Sequence, residues 1–153
     1  MDTPAHGEIW AYEVDGYGNQ LFMDDANAPS LLSLPYPYLD SCSIDDPLYL
    51  RTRAAVWSKE NPYFFKGNAG QGIGGRHEGL GMIWPMSILV RALTTEDDSE
   101  ILACLRSIKQ THAGTRFVHE SFQQDDPKHF TRAWFAWANS LSGNSSFGKS
   151  RAD

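Results

Sequence analysis

Between Phe117 and Asn139 the chain reads Phe-Val-His-Glu-Ser-Phe-Gln-Gln-Asp-Asp-Pro-Lys-His-Phe-Thr-Arg-Ala-Trp-Phe-Ala-Trp-Ala-Asn, and no other stretch narrows its folding choices as sharply. Asp126 followed by Pro127 is an N-cap and first-turn pair, so a helix is predicted from there to about Leu141. Phe130, Trp134, Trp137 and Leu141 recur at spacings of four, three and four, which gives that helix one face dominated by large rings. Just upstream, Glu120 stands beside His119 and between Phe117 and Phe122. A carboxylate at an aromatic-walled mouth is a place where an acid or base can meet a sugar. On the residues alone, a structural Glu and rings that belong to the core explain the pattern more simply.

The remaining elements fall to either side of this stretch. Ile9, Trp10, Tyr12 and Val14 are β-prone, Asp15 to Asn19 supplies turn chemistry, and Gln20 to Met23 returns, which predicts a short hairpin. Asn27 with Pro29 opens a short predicted helix closed by Pro35 and Pro37, and Asp46-Pro47 opens another whose buried side holds Leu48, Tyr49, Ala55, Val56 and Trp57. Tyr63 to Lys66 reads as extended. Pro85 to Leu93 is a helix with apolar residues at 86, 89, 90 and 93. Thr95 and Asp98 resemble a capping box for a helix through Lys109, with Ile101, Leu105 and Ile108 inward. That makes about five helices. Asp24 and Asp25 precede a predicted helix start, where they either cap it or face a cleft; the residues favour neither.

Composition removes several function classes. A formal net charge of −6 is the wrong sign for a nucleic-acid groove, and Lys and Arg form no run that would mark a membrane surface. With 41% hydrophobic and 21% charged residues in 153, the chain suits one domain. No apolar run approaches the roughly 20 residues of a membrane span, and the N-terminus lacks a secretory signal, leaving the cytoplasm as the default location. Cys42 and Cys104 read as buried free thiols.

Four motif candidates fail, two on context and two for want of a residue. Gly70, Gly72 and Gly75 fit G-x-G-x-x-G, but Gly79, Gly81 and Pro85 follow where a helix should open. Gly143 to Ser150 fits the phosphate-loop pattern, yet only Arg151-Ala152-Asp153 remain beyond it, so residues 142–153 are expected to be a disordered tail. His119-Glu120 and His77-Glu78 each lack the second His of a zinc-protease helix. No metal site and no cofactor are expected.

The blocks Met23 to Tyr36, Asn61 to Phe64, Gly72 to Gly75, Ile83 to Ile88, Arg91 to Thr94, His119 to Phe122 and Phe130 to Asn139 resemble glycoside hydrolase family 125, the exo-α-1,6-mannosidases. That resemblance implies a mainly all-α chain forming part of an (α/α)₆ barrel, with residues 1–141 the C-terminal portion of its catalytic domain. It also implies an inverting hydrolysis of terminal α-mannosides without a metal, in which Glu120 is the general base. The family's acid, an Asp well upstream, has no counterpart among the 23 residues before Asp24. Asp24, Asp25, Asn27, His77, Trp84, Arg91, His119 and Trp134 become candidate mannoside-binding residues. Trp137 is expected in the core.

A full barrel needs on the order of 200 residues, so the chain is expected to be a truncated product whose partner is the missing N-terminal half, besides a mannose-containing glycan. Nucleic acid and membrane are not expected partners. The isolated chain is not expected to turn over. The alternative is a non-catalytic or saccharide-binding remnant of such an enzyme. Two departures from the family pattern stand out: Arg76 where Pro is expected, and Arg116 where Gly is.

Overall fold

Proline and aspartate decide where two of the helices begin. In the computed structural model, which describes residues 1–36, 39 and 41–147, helix α1 spans Pro47–Val56, and the Asp46 carboxylate accepts from the amides of Leu48 and Tyr49. Helix α2, Pro85–Leu93, starts on Pro85 and is buried nearly all round, from Pro85 to Val90 and again at Ala92. An all-round apolar helix belongs in the middle of a core, and α2 packs against α3 (Asp98–Thr111), α4 (Ala136–Phe147) and strand β6 (Gln71–Ile73). Met86, Ile88 and Leu89 are each 1% exposed or less. Burial at that level stabilises by about 1.5–3 kcal/mol per side chain.

The strands are short and antiparallel. β1 (Asp2–Thr3) pairs with β2 (Gly7–Glu8), and β3 (Glu13–Val14) with β4 (Gln20–Leu21). The second of these is the predicted hairpin, its turn held by the Asp15 carboxylate, which accepts from the amides of Tyr17 and Asn19. β5 (Phe64–Lys66) pairs with β6. β7 (Met82–Ile83), β8 (Ser121–Gln123) and β9 (Phe130–Thr131) form a three-stranded sheet with β8 in the centre.

The expectation of a mainly all-α chain with about five helices is therefore corrected. The described residues hold four helices and nine strands, a mixed structure. Two predicted helices account for the difference. Residues 27–34 form turns instead, because the Asp24 carboxylate accepts from the amides of Leu31 and Leu32, and Ser30 and Ser33 bond to each other's backbone. Such side-chain bonds satisfy the backbone outside a helix. Pro37 lies outside the described residues.

The helix predicted from Asp126 does not start there either. The Gln123 side chain accepts from the amides of Asp125 and Asp126, the chain turns, and Phe130 pairs with Phe122 across the sheet. The helix begins only at Ala136 and runs through Gly143 to Phe147; residues 148–153, the rest of the expected tail, lie outside the described residues. Consequently Trp134 (58% exposed) and Trp137 (43%) face outward, not into the core, and Leu105 of α3 is also exposed. In α3 the cap is Asp97, whose carboxylate accepts from the Ser99 amide, and not Thr95. Both cysteines are free; Cys104 is buried and Cys42 partly so. Among the described residues, no helix is long and apolar enough to cross a membrane.

Candidate active site

Glu120 immediately precedes β8, and three successive rungs fix it. The Ser121 and Thr131 hydroxyls lie 2.7 Å apart. The Glu120 amide donates to the carbonyls of Thr131 and Arg132, both at 3.3 Å. His119 Nδ1 donates to the Ala133 carbonyl at 2.9 Å, and the His119 ring stacks on Phe130 with centroids 3.9 Å apart. On the N-terminal side, the Asn139 side chain from α4 both donates to and accepts from the Val118 backbone, as a neighbouring strand would. The hairpin thus holds the carboxylate from the sheet side and the helix from the other.

The Glu120 side chain is 6% exposed, and its Oε1 lies 3.2 Å from Arg132 Nη1. Arg132 is itself two-thirds exposed, has φ +40°, and reaches over the Phe135 ring at 5.9 Å. Phe135 meets Trp84 edge-on at 6.2 Å. The Trp84 amide donates to Ile73, and the Ala26 amide to Gly74, so the loop after Asp24 joins the same cluster. A continuous path of contacts runs from Glu120 through Arg132, Phe135 and Trp84 to the Asp25 loop.

The other sequence-predicted residues divide by place. Asp25 is half-buried and bonds the amide and side chain of Asn27. Nearby Tyr12 has its phenol pushed up, by burial first and then by the Asp25 and Asp24 carboxylates. Asp24 is fully buried, with its two oxygens taken by Leu31 and Leu32; burial pushes its pKa up to about 7 against those bonds. His77 is exposed on the loop after Arg76, whose Nε donates to the Tyr63 hydroxyl at 2.6 Å. Trp134 is exposed and follows Ala133 in the chain, two residues beyond Arg132.

Arg91 belongs elsewhere. It pairs with Glu100, which also holds Arg53, and its guanidinium lies over Trp57 at 4.4 Å. Burial, then Arg53, lowers its pKa. A cavity of about 250 Å³ beside it is lined by Trp57, Gln71, Ile88 and Cys104 among others, and Glu120 is not in its wall. The sequence reading missed Arg132 and Phe135 as neighbours of Glu120. The signal was available: pairing Phe122 with Phe130 brings position 132 opposite position 120.

A buried carboxylate presented on a hairpin beside aromatic rings is compatible with acid–base chemistry on a sugar. The sequence profile of the family described as metal-independent α-mannosidase (GH125) matches residues 1–146, and the chain belongs to that family of hydrolases. It is 54% identical over 142 residues to the meiotically up-regulated gene 157 protein of Schizosaccharomyces pombe, covering 92% of this chain and 28% of that protein. It superposes with TM-score 0.88 and 44% identity on a Streptococcus pneumoniae protein. That structure is described as a metal-independent α-mannosidase in a non-productive substrate complex with α-1,6-mannobiose. The match covers 94% of this chain and 33% of the bacterial one, so the chain spans about a third or less of either relative.

Proposed function

We propose that this chain supplies the general base of an inverting α-mannosidase, and that the base is Glu120. The carrying observation is the state of that carboxylate: buried, flanked by one backbone and two side-chain contacts across the hairpin, and, among the described residues, paired with the Arg132 guanidinium at 3.2 Å. In an inverting hydrolysis one carboxylate takes a proton from water as its oxygen attacks the anomeric carbon, while a carboxylic acid protonates the departing glycosidic oxygen from the opposite face. The two stand about 6.5–9.5 Å apart. No residue of this chain is assigned the acid's role, so on this reading the 153-residue chain does not turn over mannoside by itself. The exposed Trp134 offers a flat face to the sugar's C–H bonds, with Asp25 and Asn27 as hydroxyl partners. Asp24 and Arg91 are left to structural work.

The test is Glu120→Gln in the full-length form, assayed on a terminal α-1,6-mannoside. Turnover should fall by about 10²–10⁴-fold, while mannoside binding and the unfolding midpoint change little. Wild-type turnover in that variant would remove the assignment.

A further inference from the structure

We infer that Arg132 is a positioning residue for the base: it holds Glu120 Oε1 so that the second carboxylate oxygen is aimed at the attacking water. This rests on Glu120 being the base. Among the described residues, Arg132 is the side-chain partner of Glu120, at 3.2 Å. Its backbone has φ +40°, in the left-handed region where glycine is favoured and other residues are disfavoured. A chain that needed only the turn would do better with glycine there. Strain of this kind persists where the surroundings over-determine it, commonly at functional sites.

The surroundings do over-determine it. Thr131 is tied to Ser121 by its hydroxyl, the Arg132 carbonyl accepts from the Glu120 amide, and the Ala133 carbonyl accepts from His119. With the backbone pinned on both sides, the left-handed turn brings the guanidinium across the hairpin to within reach of Glu120 and over the Phe135 ring, while most of the side chain stays in solvent. The pair also has an order of exposure that suits the role. Arg132 is 67% exposed and stands outside a carboxylate that is 6% exposed. The cation therefore holds the carboxylate from the rim without closing it in.

The experiment uses the full-length form with Arg132→Gly and Arg132→Lys, each alone and combined with Glu120→Gln, assayed on α-1,6-mannobiose. Glycine suits the backbone but leaves the buried Glu120 carboxylate without its guanidinium, so the two effects oppose and Arg132→Gly should fold with a thermal midpoint near that of wild type. Its kcat should nevertheless fall about 10²-fold, with KM within about threefold of wild type. Lysine keeps the charge and should recover part of the loss. In the Glu120→Gln background Arg132→Gly should cost less than about twofold, because a residue acting only through another adds nothing once that other is gone. Undiminished kcat in Arg132→Gly, or a full multiplicative loss in the double variant, overturns the proposal. Wild-type turnover in Glu120→Gln alone is a separate result: it defeats the base assignment, and this inference with it.

Discussion

Replacing Asp24 by Asn should change the pH dependence of stability with a sign that the structure fixes. The Asp24 carboxyl is 0% exposed, and burial raises its pKa to about 7 from the ordinary 3.8. In the unfolded chain it ionises near 4, so between those values the folded state binds the extra proton and stability falls as pH rises. The stability is fully present near pH 4 and is lost as pH rises through about 7. From 3.8 to about 7, at about 1.4 kcal/mol per pH unit, the loss is about 4 kcal/mol. Asn does not titrate, but it offers one acceptor oxygen where Asp offers two, so the Leu31 or Leu32 amide loses its partner at about 1–3 kcal/mol. The variant should be less stable than wild type near pH 4.5 and equal or more stable near pH 7.5. Urea unfolding of both proteins across that range reads the difference, in which other carboxylates cancel. A difference that stays constant with pH, or grows in wild type's favour toward pH 7.5, refutes the reasoning.

Two further stability predictions test the close approaches and the strained turn. A Cβ at Gly74 would collide with the Met82 carbonyl oxygen and lie 2.8 Å from the Phe65 ring, so Gly74→Ala should cost about 3 kcal/mol; an unfolding midpoint close to wild type would contradict it. Arg116 has φ +66°, in the left-handed region that favours glycine. Relief of the left-handed backbone, about 1–2 kcal/mol, exceeds glycine's entropic cost of about 0.5–1 kcal/mol. Arg116→Gly should therefore raise the midpoint slightly, and a drop in thermal unfolding temperature would count against that account.

What was legible in the sequence follows the range of the interactions involved. α2 was read correctly from Pro85 to Leu93 because its start and its apolar spacing are local. α1 was read from Asp46-Pro47 for the same reason, and there the aspartate does take the amides of Leu48 and Tyr49. Gly72, one of the three glycines of the G-x-G-x-x-G match set aside on context, serves close packing: a Cβ there would lie 2.7 Å from the Ile83 side chain. That depends on a strand ten residues away and is not written in the glycine spacing.

Asp126-Pro127 carries the same local signal as Asp46-Pro47 and gives a different result. Its carboxylate accepts from Lys128, while Gln123 takes the amides of Asp125 and Asp126, and Phe130 finds a backbone partner in Phe122. The decisive bonds come from β8, which is itself completed by β7, so the outcome is set by a sheet that no window of the sequence contains. This tertiary override has a consequence for chemistry. A helix from Asp126 would have spread Phe130, Trp134 and Trp137 along one face and left Glu120 beside its start. The hairpin instead brings position 132 opposite position 120, where a helical register would have carried the guanidinium away. Local rules fail most where function demands a geometry they do not favour, and here the failure falls on the residues from Glu120 to Phe135 that make up the proposed site.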